Sequence, residues 1–487
     1  MKLGTNGMGA RTWWGLAGLV VGVATVSRVP GLLRPWMERD EAHIAVQAQT
    51  LLRGGQLYVD VIDRKPPLVP AIYAAVAWLS GSSDLRFVRV LLVLWVAATA
   101  LVVAAIVRRL HCSWRATMVA ALLYVLGTAA FLPRDGQGAN FELWAALPAT
   151  GAILLALARP DSARRAWLLT AAGALVGIAA CMKQPFLITM APVGIAAFGK
   201  GRWGGVLAAT AGALGAIVVV GGTFGLEGML RWAWTENDGY FSGAVLEGRV
   251  LAVAVLMTLL FVAGHAPAMW LGVRARFHHD RREVVIVVVW LAASALAVVA
   301  GFRFLGHYYQ QLVAPLCVLA GVGVDRVSRR TLTAHLGVAG VAATVAVVIA
   351  SAFGPQPMEM TQLRAVIEAH TEEGEPILVW GDAPEIYLKT ERSVAGAFVQ
   401  STFLTSMGSG RAAVRARLPE EAAERRWEVF LADLRAEPPQ VVVDMSSRRR
   451  GFEYRPEEVP LGDFLRSHYE FVDTIRGMEV WVHESRA

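Results

Sequence analysis

Eleven stretches of this chain are apolar over 15 to 23 residues, at about 12 to 27, 87 to 107, 116 to 132, 141 to 158, 166 to 182, 185 to 199, 203 to 224, 250 to 272, 284 to 302, 308 to 324 and 335 to 353. A segment of about 20 such residues spans the hydrocarbon layer, and inside that layer a backbone must satisfy its own hydrogen bonds, so each stretch is predicted to be a helix. The sixth is short enough to be tilted or irregular, and the count is uncertain by one. Only 17% of the 487 residues are charged, against roughly 25% in soluble domains. The net charge of +7 does not point to nucleic acid, because the basic residues are scattered through short loops instead of forming a patch.

Those loops give an orientation. Fifteen Lys and Arg residues fall on one side, among them Arg108, Arg109, Arg164, Arg165, Arg281 and Arg282. Five fall on the other: Arg134, Lys183, Arg231, Arg249 and Arg303. The first side is cytoplasmic by the positive-inside rule, which places the amino terminus inside and residues 28 to 86 outside. A cleaved signal peptide is an alternative for the first apolar run and leaves that sidedness unchanged. Cys112, Cys181 and Cys317 have neither paired nor metal-ligand spacing.

Beyond residue 353 the composition becomes that of an ordinary soluble protein. Helix is expected at 361 to 372, strand at 376 to 381, helix at 383 to 390, helices within 411 to 436, strand at 440 to 445 and helix at 460 to 468. A closing hairpin turns around Arg476 and Gly477. The expected organisation is thus a polytopic α-helical membrane domain, 1 to 353, with a small α/β domain, 354 to 487, outside the membrane.

The first outer loop, about sixty residues, is too long for a plain connector. In "DEAHIAVQAQTLLRGG" the residues Ile44, Ala48, Leu51 and Leu52 share one helical face, which predicts a helix lying along the interface, ended by Gly54 and Gly55. A second surface helix follows Pro66 and Pro67. Asp40 stands where an N-cap belongs and Glu41 in the first turn, a sufficient structural reason for both. The same outer surface, however, also carries Lys65, Asp135, Glu142, Lys183, Arg303, His307, Tyr308 and Tyr309. Singly, Lys183 and Arg303 could snorkel, the aromatic residues could form an interfacial belt, and Asp135 could belong to a turn. Together they suggest a pocket, since ionisable groups near hydrocarbon usually face a protein cavity. Carboxylates there suit proton abstraction from a hydroxyl or a divalent cation, and cations suit a phosphate. Arg39 and His43 have no assigned role, and His278 and His279 read as solvated cytoplasmic loop residues.

The stretch "ERDEAHIAVQAQTLLRGGQLYVDVIDRKPPLVPAIYAAVAWLSG", with "FELW", "MKQP" and "HYYQQLVAP", resembles the GT-C membrane glycosyltransferases, in particular the protein O-mannosyltransferase-like and aminoarabinose-transferase-like family that uses polyprenyl-phosphate sugars. The likeness covers much of residues 13 to 330. It implies a GT-C-like fold and an inverting transfer from a polyprenyl-phosphate donor to a glycan, glycolipid or protein acceptor at the outer face of the cytoplasmic membrane, as in lipopolysaccharide or glycan biosynthesis. Asp40 maps onto the acidic residue that orients or deprotonates the acceptor, with Glu41 beside it. Glu142 maps onto the second acidic residue and Lys65 onto a phosphate contact; Arg303 and Lys183 are further phosphate-binding candidates. His307, Tyr308, Tyr309 and Asp135 are candidates to line the pocket. Metal dependence varies among such enzymes and is left open. A transporter or lipid-linked sugar flippase is the alternative, since intramembrane charges also mark translocation paths; a membrane anchor for the outer domain is a third. Convergence of Asp40, Lys65 and Glu142 on one cavity distinguishes the transferase from both.

Overall fold

The computed structural model describes residues 9–33, 39–158, 162–198, 203–236, 248–275, 281–300, 302–353, 359–405, 420–449 and 454–485. The membrane part begins with α1 (Ala10–Ser27), α2 (Val29–Leu33), α3 (Arg39–Leu52), α4 (Leu68–Ser80), α5 (Leu85–Arg109), α6 (Trp114–Ala130) and α7 (Pro133–Gln137). It continues with α8 (Phe141–Ala156), α9 (Ser162–Ala180), α10 (Met190–Ala197), α11 (Gly204–Phe224), α12 (Gly248–Gly272), α13 (Arg281–Val299), α14 (Val313–Val324) and α15 (Arg329–Phe353). Among the described residues five helices are long and apolar enough to cross a membrane: α5, α11, α12, α13 and α15. The chain is a multi-pass membrane protein.

Two predicted helices start irregularly, and both irregular starts serve the site. The sixth apolar stretch opens as a 3-10 turn, Gln184–Thr189, before α10. The tenth opens as a second 3-10 turn, Gly306–Leu312, before α14. Elsewhere packing is close where side chains are small. Gly173 and Gly177 lie one turn apart on α9, and a Cβ on either would overlap the carbonyl oxygens of Ala209 and Ala213 on α11. Small residues at this spacing let helix backbones approach within a bilayer.

The helix α3 differs from expectation in two ways. It begins at Arg39, so Asp40 lies inside the first turn and not at the cap. Nor does it present one greasy face to an interface: residues 41 to 48 are all buried. Ile44 and Ala48 pack into the membrane core while Val46 joins a second core above it. The predicted surface character holds better for α4, where Val69 and Tyr73 are buried while Trp78 and Leu79 are about three-quarters exposed.

That second core belongs to the carboxy-terminal α/β unit. Its elements are α16 (Thr361–His370), β1 (Pro376–Trp380), α17 (Glu385–Thr390), β2 (Ser393–Val394), α18 (Thr402–Thr405), α19 (Glu420–Ala436), β3 (Val441–Asp444), α20 (Leu461–His468), β4 (Tyr469–Ile475) and β5 (Met478–His483). The sheet order is β2-β1-β3-β5-β4, with β1 parallel to β2 and β3, and β5 antiparallel to β3 and β4. Arg476 and Gly477 both have positive φ, 50° and 77°, as a two-residue hairpin turn requires. The two-residue β2 is too short for a sequence pattern to announce. His278 and His279 lie outside the described residues. The three cysteines are free and buried.

The unit is docked, not tethered. Val46, Leu57, Tyr58 and Ile62 of the first loop share a core with Trp380, Phe398 and Phe430, and the Ile62 amide donates to the Ala397 carbonyl at 2.8 Å. A π-helical turn, Met229–Thr235, adds Trp232, which meets Phe398 edge-on at 5.8 Å.

Candidate active site

The site is assembled where α3, the loop before α4 and the two 3-10 turns meet. Lys65 sits at the end of a loop whose next two residues are prolines, and its ammonium donates to Asp40 Oδ1 at 2.9 Å. The two side chains keep 21% and 24% of their surface exposed, so the pair faces an open space and not the core. His307, carried by the second 3-10 turn, places Nε2 3.7 Å from Asp40 Oδ2 and Nδ1 3.5 Å from Asp135 Oδ1. This arrangement needs Gly306, because a Cβ there would overlap Leu132 and the Asp135 carboxylate.

Behind this row lies a second. Lys183, held in extended conformation just before the first 3-10 turn, reaches Glu142 Oε1 at 3.1 Å. The Phe141 ring lies between the two lysines, 4.7 Å from the Lys65 nitrogen and 5.5 Å from that of Lys183, while Tyr308 lies 5.0 Å from Lys183. Aromatic faces of this kind hold ammonium groups in place with little competition for their protons.

Part of this assembly borders a cavity of about 750 Å³. Asp40, Lys65, Lys183, Arg303, His307 and Tyr308 line it. Its apolar wall includes Leu187, Ile188, Ala297 and Leu296, the last 62% exposed on the outer side of α13. Cations outnumber carboxylates among the lining residues. Burial alone would push the Asp40 carboxyl up, but the nearby charges of Lys65, His307 and Lys183 outweigh it and hold Asp40 below the ordinary carboxylate range. Burial works against the Lys65 and His307 charges too. The Asp40 carboxylate nonetheless raises Lys65, and Glu142, Asp135 and Asp40 lift His307 to about 9. At neutral pH the site holds a carboxylate ringed by cations.

Most of the predicted residues are thus brought together. Asp40, Lys65, Lys183, Arg303, His307 and Tyr308 line one cavity, Glu142 supports Lys183 and Asp135 supports His307. Four do not line it. Glu142, expected to converge on the cavity with Asp40 and Lys65, is instead buried behind Lys183, and Asp135 is buried behind His307; Glu41 and Tyr309 face elsewhere. Glu41 is 1% exposed and points away from the cavity, bonded to Arg89 at 3.0 and 2.6 Å and to the Ala139 amide at 2.8 Å. Successive helix residues point about 100° apart, and here that step turns Glu41 away from Asp40 and into the contact with Arg89. Tyr309 faces the core for the same reason, packed on Phe131 and Phe261 with its hydroxyl 2.9 Å from Thr258. As for a divalent cation, among the described residues no three His, Cys, Asp or Glu side chains are grouped so as to hold one, and Asp40 is already engaged by Lys65 and His307.

Several cavity residues have no counterpart in the sequence reading. Arg64 lines the cavity beside Lys65, its guanidinium 4.5 Å from the Phe403 ring. Gln184 ties the floor together by donating to the carbonyls of Arg64 and Ala233, at 2.5 and 2.8 Å. The carboxy-terminal unit contributes Asp382, Gln400 and Thr402. Asp382 bridges the two residues that had no role: its oxygens meet Arg39 Nη1 at 3.0 Å and His43 Nε2 at 2.8 Å. A signal was available, since Asp382 follows a buried strand, and the carboxyl ends of parallel strands are where such folds carry function.

No family model matches the chain, and no curated protein sequence matches it. Solved structures do. The chain is similar to ArnT from Cupriavidus metallidurans bound to undecaprenyl phosphate, with 15% identity and a TM-score of 0.62 over 97% of this chain and 98% of that one. It is similar to the archaeal oligosaccharyltransferase AglB from Archaeoglobus fulgidus, in complex with an inhibitory peptide and a dolichol-phosphate, with 13% identity and a TM-score of 0.55 over 97% of this chain and 74% of that one. The mycobacterial arabinofuranosyltransferase AftD matches at 12% identity and a TM-score of 0.53, where 98% of this chain spans 40% of that one. Identities this low speak to the fold.

Proposed function

We propose that this chain, which has the fold of the GT-C membrane glycosyltransferases, is itself an inverting transferase that moves a sugar from a polyprenyl-phosphate donor to a cell-envelope acceptor. On this reading 1 to 353 form the catalytic membrane domain with eleven spans, and 354 to 487 a domain outside the cytoplasmic membrane. The observation that carries it is the Asp40–Lys65 pair at 2.9 Å, set in a cavity with an excess of cations and an apolar wall. A phosphate on a long isoprenoid tail fits both properties: the cations meet the phosphate and the apolar wall meets the tail.

The chemistry follows from the charges. The acceptor oxygen attacks the anomeric carbon, the bond from that carbon to the phosphate oxygen breaks, and the electron pair stays on the lipid phosphate. Lys65, with Lys183 and Arg303 beside it, stabilises that phosphate, and fixed charge of this kind is worth about 10²- to 10³-fold in rate per missing group. A carboxylate held below its ordinary range is a weak base. Asp40 therefore orients the acceptor hydroxyl and offsets the positive charge at the anomeric carbon, taking the proton only as the new bond makes that oxygen acidic. Inversion puts the acceptor and the departing phosphate on opposite faces of the sugar, whereas Lys65 and Asp40 are in contact at 2.9 Å, so on this reading a bound phosphate draws Lys65 away and frees the carboxylate for the acceptor.

Asp40→Asn is the test. Transfer from a polyprenyl-phosphate sugar is expected to fall at least 10³-fold, while undecaprenyl phosphate binds the purified protein as tightly as before or more tightly, since Lys65 has lost its competitor. Near-normal transfer in the variant would remove the proposal's main support.

A further inference from the structure

The bridge between the carboxy-terminal unit and α3 is the best-defined contact of the cavity that the chemistry above does not use. Asp382 is 3% exposed and His43 5%. One carboxylate oxygen is 2.8 Å from His43 and the other 3.0 Å from Arg39. Burial alone would raise the Asp382 carboxyl, but the hydrogen bond to His43 and the charges of His43 and Arg39 keep it ionised. The position is fixed from both sides. Asp382 follows the end of β1 through Gly381, whose φ of 125° suits only glycine, and α3 is packed between two apolar cores.

We infer that Asp382 is a positioning residue for the proposed transfer: delivered by the carboxy-terminal unit, its carboxylate grips Arg39 and His43 and thereby sets the rotation of the first turn of α3 that aims Asp40. The geometry makes the grip effective. Arg39 and His43 are four residues apart and share one helical face, and Asp40 projects roughly 60 to 100° around the helix from them. A side-chain tip lies about 6 Å from the helix axis, so a rotation of about 10° moves it about 1 Å. A misplacement of that size at a reacting centre can cost about 10²-fold in rate. Each Asp382 oxygen holds one α3 side chain, and because Asp382 also lines the cavity, the split between kcat and KM separates action through Asp40 from contact with substrate. The carboxy-terminal unit thus completes the centre, although Asp40 and Lys65 both precede it in the chain.

The inference rests on the proposed function, and the experiment separates the two. Asp382→Asn is expected to lower kcat about 100-fold with the donor KM within about threefold, and undecaprenyl phosphate binding in detergent unchanged. In an Asp40→Glu background, where the carboxylate is already displaced, the same change should lower kcat less than threefold further. Unchanged kcat in the otherwise natural protein, or a full second 100-fold loss in the Asp40→Glu background, would overturn the positioning role. If the natural protein transfers no polyprenyl-linked sugar, the proposed function fails and the grip is read by hydrogen exchange. Amides 43 to 46, which bond to the carbonyls of the first turn of α3, should then lose protection in Asp382→Asn, and unchanged protection would overturn it.

Discussion

Asp40 and Glu41 are neighbours with opposite tasks, and substitution should tell them apart. Glu41 is 1% exposed against Arg89, and removing one partner of such a pair strands a buried charge at a cost of about 3–5 kcal/mol. Glu41→Ala should therefore accumulate poorly and melt early in detergent, whereas Asp40→Asn should accumulate normally and fail only in transfer. His307 makes a pH prediction. Its pKa is lifted from 6.5 to about 9, so the folded state binds the proton more tightly than the unfolded chain. Its contribution to stability is full below about pH 6.5 and is lost as the pH rises through about 9. The difference in melting temperature between the natural protein and His307→Gln should shrink between pH 7 and pH 10, and a difference that stays constant would contradict this. Charge in an apolar chain made Asp40, Lys65, Lys183 and His307 legible in the sequence. The direction each points was not, because Glu41 and Tyr309 are separated from their functional neighbours only by a helical step.

At the scale of elements, the irregular starts matter more than the long helices. The 3-10 turn Gly306–Leu312 carries His307 against Asp135, and that approach leaves no room for a side chain at 306. Gly306→Ala should push the turn off Asp135 and lower transfer at least tenfold with little change in protein level; transfer within twofold of normal would show that the turn tolerates displacement. Hydropathy located these segments to within a few residues, because apolar length is a strong signal. Shortness marked the sixth stretch as irregular, whereas the 3-10 opening of the tenth was not legible, because it depends on what Gly306 packs against. Hydropathy also assigned α3 to an interface, since an amphipathic pattern cannot say that a distant domain will cover the polar face.

For the whole molecule, the carboxy-terminal unit is the consequential discovery. Its strands and hairpin were readable from alternation and from Arg476-Gly477, but its docking was not, because the contacts join residues some 340 positions apart, such as Ile62 with Ala397 and His43 with Asp382. Truncation after residue 353 would bare Val46, Leu57, Tyr58, Ile62 and Trp232, an apolar patch of the kind that drives aggregation. The truncated protein should aggregate in detergent and show no transfer, although every residue from Asp40 to His307 is retained. The central claim, that the cavity transfers a lipid-linked sugar onto the envelope, is tested most directly by mass spectrometry of envelope glycans. The comparison is between cells lacking the protein and the same cells supplied with the natural chain or with Asp40→Asn at equal level. The account predicts one sugar residue missing in the deletion, restored by the natural chain and not by the variant; identical glycans in all three, or restoration by Asp40→Asn, would contradict it.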